Sequence, residues 1–329
     1  MDMLNRPINV GKIVLSNRLV MPPMATAKSE SDGKVTDALC KYYEEKSQGG
    51  YIGLIITEHS FISPEGKASN GQLSISSDDD IVGLHKLTDT IHKNKTKVFA
   101  QISHAGGATT KDITGYTPLS ASSYAHPHKK DSKAIEMTHQ DIEKVIADFA
   151  AAAKRAKEAS FDGVEIHSAH AYLLNQFYSP LINKRTDEYT GATLEGRTKL
   201  HLEVIHAVRK AVGENYPIAL RLGACDYMEG GTTIENSIKA AILFEKAGID
   251  LLDISGGFCF YTNPNDKSEG YFRELTHAIK QAVKIPVILT GGIVTQNAAE
   301  HLLKMNDADL IGVGRTILRN SNWAKDVMS

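Results

Sequence analysis

The chain is poor in the features that define several protein classes. Its 329 residues include three cysteines, Cys40, Cys225 and Cys259. They lie too far apart for a CxxC pair, and an odd, scattered set suits a reducing compartment rather than a disulfide framework. No apolar run approaches the roughly 20 residues of a membrane span. The N-terminal MDMLNRPINVGKIVL carries Asp, Asn and Gly where a secretory signal keeps its apolar core, so a cytoplasmic location is expected. Lys plus Arg number 37 against 39 Asp plus Glu, interspersed, for a net charge of −2. That balance lacks the basic footprint of a nucleic-acid binder. HExxH does not occur, and the first predicted strand ends in Pro22-Pro23-Met24 rather than in GxGxxG. A doubly wound dinucleotide binder would carry its glycine fingerprint at that place.

What is present is an alternation of short apolar runs with long amphipathic stretches. The runs cover 18–23, 52–58, 97–103, 163–169, 217–224, 251–256, 286–292 and 309–315. Helical periodicity predicts helices over 36–48, 81–93, 138–160, 194–212, 233–247, 272–283 and 296–305. Thr138-His-Gln-Asp141 reads as a capping box, and Gly248 as a helix stop. The strands are near-continuous apolar runs, as parallel strands buried on both faces would be. Eight alternations fit a closed barrel or a doubly wound sheet. The count, and polar residues gathered at the C-terminal strand ends, favour a single-domain α/β (β/α)8 TIM barrel over residues 1–329. Residues 1–17 predict a hairpin, PINV and KIVL about Gly11, that plugs the barrel's bottom. Residues 105–137 form a long stretch between strand three and its helix, expected to serve as a lid or binding loop.

Gln101, His104, His167, His170, Tyr172, Arg221 and Arg315 fall at or just beyond strand ends, where a barrel brings them to one mouth. Each has a structural alternative: Gln101 as a hydrogen-bonding strut, His104 as a brace for its loop, Arg221 as the partner of an inward acid. Together they demand partners, because buried polar groups are costly when unpaired. His167-x-x-His170 could form half of a metal site. The third and fourth ligands are missing, and Glu165 alternates to the opposite strand face from Ile166, so no metal is expected. Thr290-Gly291-Gly292 and Gly312-Val313-Gly314-Arg315 end the last two strands. Glycines there let backbone N–H groups approach a phosphate, and Arg315 adds a charge-assisted bond. By themselves these residues specify only a phosphorylated ligand.

The string EIHSAHAYLLNQFYSPLINKRTDEYTGATLEGR (165–197) resembles the signature of the old yellow enzyme family of FMN-dependent ene-reductases. Agreement extends in order through NRLVMPPM (17–24), GLIITE (53–58), QISHAGG (101–107), LRLGACD (220–226) and DLIGVGR (309–315), in the layout of the shorter bacterial branch. The resemblance implies non-covalent FMN, with NADH or NADPH as reductant and a small, electron-poor alkene as substrate. Pro22, Pro23, Met24 and Ala25 would line the ring, His59 its pyrimidine edge, Gln101 its polar edge, and Arg221 its N1/O2 side. A fixed cation there stabilises the charge of the reduced ring. Gly291, Gly292, Gly314 and Arg315 would hold the phosphate. His167 and His170 match the pair that binds a substrate carbonyl oxygen, and Tyr172 the residue that protonates the α-carbon. Homo-oligomers, dimers or tetramers, are expected on the same ground.

The sequence departs from the family at several points. Ala25 stands where Thr or Cys usually meets flavin O4, leaving Thr26 as a candidate substitute; Ala27 replaces a tyrosine, and Gly107 stands where HAGR is common. The chain ends at Ser329 without that branch's arginine-bearing tail. These differences bear on substrate choice and subunit contacts, not on the hydride and proton machinery. An alternative within the class is an NAD(P)H:quinone or xenobiotic reductase. A larger relative with an iron–sulfur cluster is not expected from three scattered cysteines and a chain ending just past strand eight. A non-flavin phosphate-binding barrel would want a strand-end lysine that none of the strands offers, and a flavin binder without turnover would have no use for Tyr172.

Overall fold

The structure, a computed structural model, describes residues 2–126 and 129–329. Eight parallel strands close into a barrel: β1 (Leu19–Met21), β2 (Leu54–Ile56), β3 (Lys97–Ser103), β4 (Gly163–Ser168), β5 (Ile218–Gly223), β6 (Leu251–Ser255), β7 (Val287–Thr290) and β8 (Leu310–Gly312). Closure comes from β8 pairing with β1 and from β3 pairing with β4, Gly163 opposite Phe99. A short extra strand, Ser60–Phe61, lies along the end of β3. The strands have every residue buried or nearly so, as parallel strands between a filled interior and a helical coat require.

The coat consists of α1 (Asp37–Ser47), α2 (Ile81–His92), α3 (His139–Glu158), α4 (Leu194–Val212), α5 (Ile234–Lys246), α6 (Arg273–Lys280), α7 (Gln296–Lys304) and the short α8 (Arg315–Arg319). Threonine starts many of them. Thr36, Thr138, Thr193, Thr233 and Thr295 each accept a backbone N–H from the first turn, which supplies about 1 kcal/mol per helix relative to alanine. The Thr138–Asp141 capping box forms as the sequence implies. Gly248 follows the C-cap Ala247 at φ +107°, a conformation that costs a side-chain-bearing residue more than glycine.

The hairpin Ile8–Val10/Ile13–Leu15 forms and plugs the barrel floor: Val10 and Leu15 pack with Val20, Leu54, Phe99, Leu251 and Leu310. The 105–137 excursion differs from the expected lid. It contains its own strand pairs, Leu119–Ser120 beside Ile135–Glu136 and Tyr124–Ala125 against Lys133–Ala134, so much of its backbone is satisfied internally. None of its described residues lines the cavity at the mouth. Gly107 has a local reason: a Cβ there would meet the Tyr124 ring at 2.4 Å, leaving no room for an arginine.

Candidate functional site

A cavity of about 770 Å³ opens at the C-terminal end of the barrel. Its wall includes every sequence-derived cofactor or substrate position except Gly291, namely Pro22 to Ala25, His59, Gln101, His167, His170, Tyr172, Arg221, Gly292, Gly314 and Arg315, but not His104. Gly291 sits behind the wall, where its carbonyl accepts from the Gly270 and Tyr271 N–H groups. His104 stays out of the cavity and accepts the Gly106 N–H through Nδ1 at 3.0 Å, the bracing role.

Strand period and one strained turn bring the aromatic groups together. His167 points inward from β4, and the chain then passes through two residues in the left-handed region, His170 (φ 57°) and Ala171 (φ 61°). The turn is pinned by His170 N–H to the Gly256 carbonyl and by Ala171 N–H to Asn175 Oδ1 at 2.8 Å. Tyr172 follows as the N-cap of the helix Leu173–Tyr178. The His167 ring centroid lies 4.8 Å from that of Tyr172 and 5.4 Å from that of His170.

Burial sets the charge states. It holds both His167 and His170 well below the usual imidazole range, with the His170 and Arg221 charges acting further on His167 and the Arg221 charge on His170. Both rings are therefore neutral at pH 7. Burial pushes the Tyr172 phenol up to about 12, so it keeps its proton. His59 is held down to about 4, first by burial and then by Arg221. The Gln72 amide donates to His59 Nδ1 at 2.6 Å, which leaves the ring proton on Nε2.

Beneath these rings lies a charged layer. Arg221 Nε stands 3.2 Å from Asp253 Oδ2. Glu165, on the same inward face as His167, accepts from Gln101 Nε2 at 2.8 Å. Sequence reasoning left the acid facing Arg221 unnamed. The Leu-Leu-Asp-Ile-Ser run of β6 held the signal, because its alternation turns Asp253 and Ser255 inward beside Arg221 and Gly223. Ser255 Oγ pairs with His170 Nε2 at 2.7 Å. Also unanticipated is the segment after β6, whose Phe260, Tyr261, Asn263 and Tyr271 wall one side of the cavity. Tyr271 OH accepts from Arg315 Nη2 at 3.1 Å and donates to the Tyr261 carbonyl. Thr26 does not replace the family's polar residue at Ala25. Its hydroxyl donates to Glu58 Oε2 at 2.6 Å, and it lies outside the wall.

The site suits an elongated ligand with a planar head and an anionic tail. His167 Nδ1 is buried without a hydrogen-bond partner and awaits one. At the tail end, Gly292 has φ +65° and a Cβ there would meet the Tyr271 ring at 2.8 Å. A Cβ on Gly314 would meet Met24 Sδ at 2.9 Å, so both glycines keep the cradle open beside Arg315. Fold and site together define a (β/α)8 barrel with a ligand cavity at its C-terminal mouth, whose glycine-lined end beside Arg315 suits a phosphate.

Residues 3–329 match the family described as NADH:flavin oxidoreductase / NADH oxidase, and the chain belongs to it. The old yellow enzyme resemblance therefore stands. The chain is 38% identical over 322 residues to an NADH oxidase of Thermoanaerobacter brockii, matching 96% of this chain and 49% of that one. It is 38% identical over 311 residues to an NADPH dehydrogenase of Clostridium acetobutylicum, covering 94% of this chain and 90% of the relative. A 2-naphthoyl-CoA reductase structure in complex with 2-naphthoyl-CoA superposes with a TM-score of 0.93 at 28% identity, over 99% of this chain and 52% of that one. The chain thus spans about half the length of two curated relatives and nearly the whole of a third.

Proposed function

We propose that residues 1–329 form one FMN-binding barrel domain that uses NAD(P)H to reduce activated C=C bonds in small, electron-poor substrates. The observation that carries this reading is the convergence of His167, His170 and Tyr172, neutral and within ring contact, over the buried Arg221. Binding alone would not require a phenol held in its protonated form.

When bound, FMN supplies a hydride taken from NAD(P)H. Pro22, Pro23, Met24 and Ala25 line the cavity and would carry the ring. Gln101, with its amide nitrogen given to Glu165, offers its carbonyl oxygen to the ring's polar edge. Arg221 would offer a fixed cation to the ring's anionic side, and Gly292, Gly314 and Arg315 would hold the phosphate. With the Ser255 hydroxyl donating to Nε2, His170 keeps Nδ1–H for a substrate carbonyl oxygen, and His167 provides the second donor. Polarising that oxygen makes the β-carbon electrophilic. Tyr172 delivers a proton to the α-carbon, and its high pKa ensures rapid recovery of that proton from water.

A dimeric or tetrameric assembly and a cytoplasmic location belong to the same reading. No helix among the described residues is long and apolar enough to cross a membrane. Purified protein is expected to be yellow, to release FMN on denaturation, and to be bleached anaerobically by NADH or NADPH and recoloured by an enone, quinone, maleimide or nitroalkene. A colourless protein that gains no flavin on reconstitution overturns the reading.

A further inference from the structure

The layer under the ring site holds two carboxyls against one guanidinium, and neither carboxyl touches solvent. Glu165 and Asp253 are both 0% exposed and Arg221 is 5% exposed. Glu165 Oε2 has no hydrogen-bond donor, and the donors facing the Asp253 carboxyl are Arg221 Nε, 3.2 Å from Oδ2, and the Thr290 hydroxyl. The groups facing Asp253 are Arg221 from β5, Glu165 from β4 and the Thr290 hydroxyl from β7. His59, His167 and His170 face Arg221 from above and are neutral.

Two buried carboxylates cannot both stay ionised beside one cation, because each suffers desolvation and repels the other. Burial, with the Asp253 charge second, drives Glu165 well above the carboxylate range, so Glu165 is the protonated member. Burial also raises Asp253, to about 6, with Arg221 opposing the rise. At neutral pH the resting layer is therefore neutral overall: protonated Glu165, ionised Asp253 and cationic Arg221.

We propose that, near neutral pH, Asp253 takes up one proton from water when the cofactor bound above Arg221 is reduced. This inference rests on the FMN reading. Reduction places new negative charge on the side of the ring that Arg221 serves, so the guanidinium is divided between two anions. Asp253 loses part of its compensation, and its carboxyl gains affinity for a proton. The balance is complete: a hydride carries two electrons and one proton to the cofactor, and a second proton moves from water to an Asp253 oxygen. No further oxidant or reductant enters. The layer plus ring then gains no net charge in a site that water does not screen.

The test is potentiometry of the flavin-loaded protein with reference dyes between about pH 6 and about pH 9, the range a raised carboxyl crosses. A tenfold change in proton activity moves a two-electron couple by about 30 mV for each proton taken up. Wild type is expected to show about twice that slope near neutrality and to flatten to the one-proton value at the alkaline end. Asp253→Asn is expected to hold the one-proton slope throughout, and Glu165→Gln, already neutral in wild type, to keep the steep segment. A one-proton slope across the whole range in wild type, or a steep segment surviving in Asp253→Asn, overturns the proposal. Should Asp253→Asn fail to retain flavin, the reduction-difference infrared spectrum of wild type decides. A protonated-carboxyl C=O band must appear on reduction, and its absence is equally fatal. A protein that binds FMN but shows the shallow slope loses this inference alone, whereas one that binds no FMN loses the reading beneath it.

Discussion

At the end of the barrel closed by the hairpin, the inward positions are Val10, Leu15, Val20, Leu54, Phe99 and Leu310, all fully buried and all satisfied by packing alone. At the opposite end the barrel strands turn Gln101, Glu165, His167, Arg221 and Asp253 inward, also buried. One end obtains stability from apolar area. The other carries paired charges, unpartnered polar atoms and a turn in the left-handed region. Such features persist where the surrounding structure over-determines them, and they cluster where ligands act. The floor thus holds rigid the strands on which the mouth depends.

Substitutions at the two ends should fail in different ways. Tyr172→Phe removes a proton donor without touching the floor or the charged layer. Alkene reduction is expected to fall 10²- to 10⁴-fold, the usual worth of a positioned acid, while flavin reduction by NAD(P)H is largely spared. Stopped-flow measurement of the two half-reactions checks this, and an equal loss in both removes Tyr172 from the donor role. Next in size is a pair. Arg221→Leu strands the buried Asp253 charge and should cost about 3–5 kcal/mol together with flavin retention. Leu54→Ala, at the floor, should cost about 2–5 kcal/mol yet leave the flavin bound. Urea unfolding and the flavin absorbance of each purified variant distinguish them. Flavin loss from a folded Leu54→Ala would erase the division between the ends.

The sequence disclosed the floor and the mouth to different depths. All eight barrel strands, the helices between them and the plugging hairpin were legible because each is local: an apolar run, a 3.6-residue period, a threonine cap. His167, His170 and Tyr172 were legible because six residues of one chain segment place them. Asp253, Ser255 and Gln72 were not, since each matters through a partner on another strand or loop: Arg221, His170 and His59. The wall formed by Phe260, Tyr261 and Tyr271 was missed for a related reason. Length drew attention to 105–137 as a lid, but that segment consumes its own hydrogen-bonding capacity, whereas the segment after β6 returns across the mouth to Gly291 and Arg315.

Acid sensitivity should also belong to one end. His104, fully buried near the mouth, is held down to about 4 by burial, against an ordinary value near 6.5. The unfolded chain therefore binds the proton first, so the stabilising contribution is complete above about pH 6.5 and is lost as pH falls toward about 4. Glu58, raised to about 7 by burial, acts with the opposite sign: the native state keeps a proton that the unfolded chain releases above about 4.5. Over the acid range the wild type is expected to lose about 3 kcal/mol more than His104→Gln, since each tenfold difference in proton affinity between the folded and unfolded chain is worth roughly 1.4 kcal/mol. Chemical unfolding at pH steps reads the difference. Parallel curves would mean that His104 is charged, or solvated, in the native state.

The smallest effect isolates backbone strain by opposite substitutions at the two ends. Ala171 at φ 61° occupies a conformation costing a non-glycine residue about 1–2 kcal/mol. Glycine there removes that cost while freeing the unfolded chain by about 0.4–1 kcal/mol, so Ala171→Gly should stabilise by up to about 1 kcal/mol. At the floor, Gly11 has φ +55°, and a Cβ would meet Asp250 Oδ1 at 3.0 Å. Gly11→Ala should therefore destabilise by about 1 kcal/mol or more. If turn strain is only a stability cost, Ala171→Gly raises the melting temperature and leaves alkene reduction unchanged, because the His170 and Ala171 N–H bonds still fix the turn. A variant that melts higher but reduces alkenes more slowly would show something different. The restricted backbone of alanine would then be what holds His170 and Tyr172 in register, and the strain at the mouth would be part of the catalytic geometry.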